Sequence, residues 1–321
     1  MTVIKRKIGT LAVHPIGLGC MNLSHAYGPA QQHDDAIAFL RTAIDMGYDF
    51  FDTATIYGTG GNEKLIGEAL KGRRGDFVLA SKCVIGFKDG KRLLDASPQA
   101  IKGACEASLE RLQTDVIDLY YMHRPDPKVP IEESVGALAD LVGQGKIRMI
   151  GLSEVSAETI RRAHSVHPIS AIQSEYSLMT RNPEIAVLDA CRELGISFVP
   201  FSPVGRGYLA DEPLDPNGYK DGDLRRTFPR FTDPHFSANL GLLEKARQHA
   251  FELGCTIAQL ALAWTLARDE GVVPIPGTTN LKHLEDNFNA ASIVLPAELL
   301  ATLNDEFAPE AISGPRYSEP A

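Results

Sequence analysis

The chain has 321 residues, 44% of them hydrophobic and 23% charged, with a formal net charge of −9. Those proportions suit an ordinary globular protein with ample material for a core. The acidic balance argues against a broad nucleic-acid or anionic-membrane surface, and no apolar run approaches the roughly 18 residues of a membrane span.

The first predicted element is a hairpin over 5–13 that turns at Gly9-Thr10. A short apolar strand follows over 16–22. Apolar residues at helical spacing (Ile37, Leu40, Ile44) predict a helix over 34–46, with Asp34 as N-cap and Gly47 as its stop. The buried strand over 48–52 runs into a polar, glycine-rich loop holding Tyr57 and Gly58, and a helix over 62–71 is expected with Asn62 as cap. Strand 77–82 comes next, then a helix from Ser97-Pro98 to about 111, with proline at its first position. The alternation continues through strand 116–123, helix 131–142, strand 147–153, helix 157–166, strand 169–173, helix 184–194 and strand 196–201. A long polar loop over 202–237 leads to helical stretches at 240–253 and 257–267, strand 272–275, helix 281–290, and a last helix over 297–307 before a proline-rich end.

Apart from the hairpin, eight strands each followed by a helix, most of them continuous apolar runs, predict an α/β protein. The expected form is a (β/α)8 TIM barrel with an N-terminal β-hairpin and extra C-terminal helices, as a single domain over 1–321. The absence of G-x-G-x-x-G after the first strand counts against an open dinucleotide-binding sheet. The cysteines, Cys20, Cys83, Cys105, Cys191 and Cys255, lack the spacing of a zinc ribbon or redox dithiol and read as reduced small hydrophobes. With no signal-peptide core at the start, the expected location is cytoplasmic.

In such a barrel the site lies at the C-terminal ends of the strands. Those ends carry Asp52, Lys82, His123, Ser153, Gln173 and Phe201. Each alone also reads as a loop cap, a rim lysine or a packed histidine, but together they converge on one face. A buried carboxylate needs a partner, and Lys82 is placed to neutralise Asp52. Beside Tyr57, the same ammonium favours phenolate and lowers the phenol pKa from its usual value of about 10. That makes Tyr57 a proton donor for a carbonyl oxygen near neutral pH, with His123 orienting the same oxygen. No nucleophile–base pair and no metal cluster is read from the sequence. A cofactor is therefore expected to bring the electrons, and no metal.

These residues resemble the aldo-keto reductase superfamily over essentially the whole chain. Seven stretches in order carry the resemblance: Phe51-Asp52-Thr53-Ala54-Thr55-Ile56-Tyr57-Gly58, Ala80-Ser81-Lys82, Asp118-Leu119-Tyr120-Tyr121-Met122-His123-Arg124, Gly151-Leu152-Ser153-Glu154, Gln173-Ser174-Glu175-Tyr176, Phe201-Ser202-Pro203-Val204-Gly205-Arg206-Gly207 and Ile275-Pro276-Gly277-Thr278. The pattern is similar to bacterial and fungal pyridoxal-reductase-like or aldehyde- and quinone-reducing members. The resemblance implies Tyr57 as general acid, Lys82 as its pKa-lowering neighbour, Asp52 as the partner of Lys82, and His123 as the carbonyl-orienting group. It implies an extended nicotinamide cofactor without a Rossmann fold. Ser153 and Gln173 would hold the carboxamide; Phe201 would stack on the ring; Cys20, Met21 and Asp52 would touch the cofactor. Ser202, Val204, Gly205 and Arg206 would surround the pyrophosphate, Gly277, Thr278, Lys282 and His283 the ribose-phosphate end, and Asp286 and Asn287 the adenine. NADP(H) is favoured. Thr279 and His283 stand where NADPH-preferring members carry basic residues, which keeps NAD(H) as an alternative. Glu154 stands where many members have asparagine.

The implied function is NAD(P)H-dependent, reversible reduction of an aldehyde or ketone to an alcohol. The alternatives are an NAD-dependent alcohol or sugar dehydrogenase working oxidatively, or a non-enzymatic cofactor-sensing relative. The expected partner is a small-molecule carbonyl substrate, with no nucleic acid and no membrane, and no pattern in the chain specifies an oligomeric state. Substrate shape is expected from the loops at 24–32, 84–96, 124–130 and 207–237 and from the tail after 307. Tyr27, Phe87, Tyr208, Phe228 and Phe231 read either as pocket lining or as loop anchors. Arg225, Arg226 and Arg230 read either as anion contacts or as a solvated loop face.

Overall fold

The computed structural model describes residues 3–88, 91–212 and 214–318. The parts of the predicted substrate loops at 89–90 and 213, and the end of the tail at 319–321, lie outside the described residues. Strands β1 (Arg6–Ile8) and β2 (Leu11–Val13) form the expected antiparallel hairpin. Seven parallel strands then build the main sheet: β3 (Leu18–Gly19), β4 (Phe50–Asp52), β5 (Val78–Cys83), β8 (Ile117–Met122), β9 (Ile147–Ser153), β10 (Ile169–Glu175) and β11 (Ser197–Phe201). Their spatial order, β11-β10-β9-β8-β5-β4-β3, is chain order, as successive βα units require.

The expected eighth strand closes the sheet, although it does not form a regular ladder. On one side, residues 272–275 bridge β11 at Phe198–Val272 and Phe201–Ile275, and Val273 and Ile275 donate to the carbonyls of Phe198 and Pro200 at 2.9 and 3.0 Å. On the other side, Gly17 and Gly19 donate to the carbonyls of Pro274 and Pro276 at 3.0 and 3.1 Å. Pro274 and Pro276 have no N–H to return, so the pairing with β3 runs in one direction only. The predicted first strand over 16–22 is short for a related reason. It turns at Cys20 into a 3₁₀ segment, Met21–Leu23, whose Met21 and Asn22 line the mouth of the barrel while Leu23 is buried in the core.

The helices cover the outside: α1 (His33–Met46), α2 (Gly61–Ala69), α3 (Pro98–Leu112), α4 (Ile131–Gly143), α5 (Ala157–Val166), α6 (Val187–Leu194), α7 (His235–Leu253), α8 (Ile257–Leu266), α9 (Leu281–Asn289) and α10 (Ala297–Glu306). Ser97 caps α3 as expected, accepting from the Ala100 amide. Two other expected caps are corrected. Asp34 lies inside the first turn of α1, where its charge suits the helix dipole, and Gln32 precedes the helix without a side-chain cap. Asn62 lies within α2 and is buried. Its amide donates to the Cys20 carbonyl at 2.9 Å and to Ser24 Oγ at 2.7 Å, while its oxygen accepts from Thr53 Oγ1 at 2.6 Å. It thus ties the loop after β4 to the loop after β3. The helix expected at 184–194 breaks at Ala186, so a 3₁₀ turn, Asn182–Ile185, precedes α6. The segment 84–96 is no plain loop but carries the hairpin β6 (Ile85–Lys88) and β7 (Lys91–Leu94).

Strand parity decides what faces inward. Phe50, Val78, Ala80, Leu119, Tyr121, Met149, Ala171, Val199, Val273 and Ile275 pack together inside the barrel, and Ile8 and Val13 of the hairpin plug its N-terminal end. Gly151 shares that face because a Cβ there would lie 2.3 Å from the Tyr121 ring. Alternate residues, such as Phe51, Leu79, Tyr120 and Leu152, join the layer between strands and helices. Counting two residues onward from each inward position reaches Asp52, Lys82, His123, Ser153, Gln173 and Phe201, since side chains alternate along a strand. The apolar interior therefore delivers the polar residues to one mouth.

Candidate active site

Asp52 ends β4 and Lys82 lies one residue before the end of β5; both are buried, with side-chain exposures of 2% and 0%. Lys82 Nζ donates to Asp52 Oδ1, to the Thr53 carbonyl at 2.8 Å and to Tyr57 Oη at 3.4 Å. Gln173, on β10, donates to the other Asp52 oxygen at 2.8 Å. Both carboxylate oxygens are acceptors, which is the geometry of an ammonium–carboxylate pair. Burial works against the Lys82 charge, but Asp52 and Tyr57 outweigh it and hold the ammonium above the ordinary lysine value. Burial also pushes the Asp52 carboxyl upward, against the opposing pull of Lys82 and Gln173.

Tyr57 opens a short 3₁₀ turn, Tyr57–Gly60, in which Gly58 and Gly60 take φ values of 54° and 86°. Those left-handed glycines fold the loop back so that the phenol reaches the mouth. The expectation that Lys82 brings the Tyr57 pKa below its usual value is corrected. Burial raises it, Lys82 pulls it down, and the balance lies above the ordinary value. Tyr57 therefore stays protonated at neutral pH. His123 follows β8, is buried, and its ring centroid lies 5.9 Å from that of Tyr57 in an edge-on arrangement. Its Nδ1 has no hydrogen-bond partner among the described residues. Burial, then the charges of Lys82, Arg124 and Arg92, hold its pKa well below the usual histidine value. The ring is neutral, so one nitrogen can donate and the other accept.

These groups sit at one end of a cleft of about 960 Å³. That is near the upper end of ligand pockets, roughly 300–1,000 Å³. Asp52, Tyr57, His123, Ser153, Gln173, Phe201 and Met21 line it, as do Ser202, Val204 and Arg206, and further along Gly277, Thr278, His283, Asp286 and Asn287. Lys82 stands behind Asp52 and Tyr57. Cys20, Gly205 and Lys282 do not line the cleft. The Cys20 thiol is fully buried, with Sγ 3.6 Å from the Leu18 carbonyl. Lys282 is paired with Asp286 at 2.5 Å on the exposed face of α9. A carboxamide, a hydroxyl and an aromatic ring at one end, and a helix N-terminus capped by Asn280 at the other, form a donor set that suits an extended nucleotide.

Arg206, expected beside a pyrophosphate, lines the cleft and is also engaged by protein partners. It donates to Glu175 Oε2 at 2.7 Å, to Tyr317 Oη at 3.0 Å and to Tyr27 Oη at 3.3 Å, and stacks over Phe228 at 4.6 Å. Glu175 and Glu154 also receive Arg316, each at 2.9 Å. Glu154 has a φ of 55°, a conformation that asparagine tolerates better than glutamate. Its carboxylate accepts from the Glu175 amide at 2.9 Å, which holds it there.

Of the aromatic residues with two readings, Tyr27 and Phe228 line the cleft, Tyr208 is an anchor packed against Phe231 and Phe236, and Phe87 is exposed on the hairpin. Arg226 pairs with Asp221, while Arg230 donates to the carbonyls of Met179 and Gly314, so these two are loop fasteners. Arg92, Arg124 and Tyr317 line the cleft and were not singled out by sequence. Arg124 was within view, directly after His123. Tyr317 carries no local signal, because its place depends on how the tail folds back. Among the described residues no group of histidine, cysteine or carboxylate side chains is arranged to hold a metal, and no helix is long and apolar enough to cross a membrane.

The model of the aldo/keto reductase family matches residues 15–306. A probable aldo-keto reductase of Glycine max is 43% identical over 317 residues, which span 97% of this chain and 91% of that protein. Among solved structures, the glycerol dehydrogenase of Gluconobacter oxydans superposes with a TM-score of 0.87 at 25% identity, covering all of both chains. An aldo-keto reductase of Klebsiella pneumoniae, solved in complex with NADPH, superposes with a TM-score of 0.77 at 29% identity, also over the full length of both.

Proposed function

The chain belongs to the aldo/keto reductase family, and from that premise we propose that it reduces an aldehyde or ketone to the alcohol with Tyr57 as the proton donor. It is an NAD(P)H-dependent oxidoreductase, and carbonyl reduction is its general chemistry. When bound, the nicotinamide supplies the hydride. Ser153, Gln173 and Phe201 would hold its ring end, and Thr278, His283 and Asn287 its nucleotide end. NADP(H) is the favoured cofactor, in keeping with the Klebsiella complex.

The observation that carries this reading is the buried Lys82, which joins Asp52 and Tyr57 through one ammonium. A protonated phenol whose pKa is raised by burial is a weak acid. The adjacent ammonium lowers the cost of leaving phenolate behind when the proton moves to the carbonyl oxygen. Asp52 fixes that ammonium, and Gln173 fixes Asp52. Neutral His123 faces the same position and orients the oxygen by hydrogen bonding without competing for the proton. The reverse step, with Tyr57 as base, would oxidise an alcohol; the fold likeness to a glycerol dehydrogenase favours that direction as a second reading.

Tyr57→Phe tests the role. Turnover on an aldehyde panel should fall by about 10²- to 10⁴-fold, the usual contribution of a positioned acid. Quenching of protein fluorescence by NADPH should remain. Turnover within a factor of two of the parent would remove Tyr57 from the role.

A further inference from the structure

Four arginines line the cleft: Arg92, Arg124, Arg206 and Arg225. Arg206 is paired with Glu175 and Arg225 with Asp223, each at 2.7 Å. Among the described residues, Arg92 and Arg124 have no carboxylate partner. Arg124 Nη1 donates to the His123 carbonyl at 2.6 Å and to Ser153 Oγ at 3.2 Å, both neutral acceptors. Arg92 lies on β7, in the hairpin that follows β5, and is exposed toward the cleft. Both stand at the Tyr57–His123 end. Among the described residues, the acidic side chains of the cleft wall other than Asp52, namely Asp211, Glu212, Asp215 and Asp286, belong to the loop after β11 and to α9. Among the described residues, this corner of a chain of net charge −9 carries positive charge without a carboxylate partner, because Asp52 already balances Lys82.

Resting on the reductase reading above, we propose that the substrate is a carbonyl compound bearing a carboxylate, which Arg124, assisted by Arg92, binds while its carbonyl faces Tyr57. A guanidinium offers a planar fork matched to a carboxylate, and a charge-assisted pair here would supply the counter-ion that the corner lacks. Half-buried Arg124 is pre-positioned by its two bonds, so little side-chain freedom is lost on binding. In the reaction the carbonyl carbon takes up a hydride from reduced nicotinamide, which is thereby oxidised. The carbonyl oxygen takes the Tyr57 proton. The carboxylate keeps its charge and forms no covalent bond.

The test compares 4-carboxybenzaldehyde with its methyl ester, a pair that differs in charge at nearly constant shape. The parent should show a kcat/KM ratio of acid over ester above 10. In Arg124→Gln the ratio should fall by roughly 10- to 100-fold, the range for a hydrogen bond to a charged group. Arg124→Lys should recover part of it, and Arg92→Gln should lower it less. Equal use of both aldehydes by the parent, or a ratio unmoved in Arg124→Gln, overturns the proposal and leaves carbonyl reduction standing. If neither aldehyde is reduced, calorimetric titration with benzoate and benzamide decides independently. Benzoate binding that Arg124→Gln abolishes supports the site, and benzoate binding no tighter than benzamide overturns it.

Discussion

Two clusters of buried acid and base stand side by side at the barrel mouth, and they are built differently. In the central one, a single cation serves a single carboxylate: Lys82 and Asp52 have exposures of 0% and 2%, and Gln173 fills the remaining oxygen. In the outer one, Glu175 is shared between Arg206 and Arg316, and Arg316 also reaches Glu154, with exposures of 18% and 13% for that last pair. The central cluster is drawn from three strands of the barrel. The outer one joins strand ends to a loop and to the tail. The difference teaches where redundancy lies. Losing one member of the first strands a charge, whereas losing one member of the second leaves each carboxylate with another donor.

The largest expected effect breaks the central pair. Lys82→Met leaves Asp52 buried without a cation, and losing one partner of a buried pair costs about 3–5 kcal/mol. Urea unfolding should show that loss, together with loss of turnover. The double variant Lys82→Met/Asp52→Leu should recover most of the stability and none of the activity, because no orphan charge remains. A loss below about 1 kcal/mol in the single variant would mean that water reaches Asp52 and that the centre is less enclosed than its burial implies.

A smaller effect sharpens the contrast. Arg316→Gln leaves Glu175 with Arg206 and Glu154 with the Glu175 amide. The expected cost is about 1–2 kcal/mol, toward the low side for hydrogen bonds to charged groups. A cost equal to that of Lys82→Met would show that the tail, rather than Arg206, secures Glu175.

The same contrast explains what could be read from the chain. The barrel was legible because eight short apolar runs are each followed by a helical pattern, and Asp52, Lys82, His123, Ser153, Gln173 and Phe201 stand at the ends of those runs. Their pairing needed no knowledge of distant loops. The outer cluster was not legible, since Arg316 meets Glu175 across 141 residues of chain. Nothing local distinguishes such an arginine from a solvated one. Arg206 illustrates the same limit: its place in the loop after β11 was evident, but its partner was set by tertiary folding. The hairpin at 85–94 was missed for another reason. The Asp89-Gly90 turn signal is present in the sequence, but an alternation of strand and helix treats any insertion between them as loop. The direction of the Tyr57 pKa was not legible either, because the pull of Lys82 follows from the strand ends whereas the opposing burial depends on the folded loop.

The two clusters should also fail at opposite ends of the pH scale. Burial raises the Glu175 pKa, but Arg206 and Arg316 outweigh it, so the folded value lies below that of the unfolded chain. The unfolded state then binds more protons as pH falls, and the contribution of Glu175 is complete above its unfolded value, about 4.3, and lost below it. Lys82 has a folded value above its unfolded one. Its contribution is complete below about 10.4 and lost as pH rises through the folded value. Each group changes stability by at most about 1.4 kcal/mol per pH unit within its window. Melting curves should therefore show the gap between parent and Glu175→Gln narrowing from pH 6 to pH 3, and the gap between parent and Lys82→Met narrowing above pH 10; the latter gap also narrows in acid, where the Asp52 carboxylate that the variant orphans takes up a proton. A Lys82→Met gap that closes in acid and stays unchanged above pH 10 would mean that Asp52 alone, not Lys82, sets the pH response of the centre. Burial already pushes that carboxyl upward against the pull of Lys82 and Gln173, and loss of Lys82 removes the larger of the two opposing pulls.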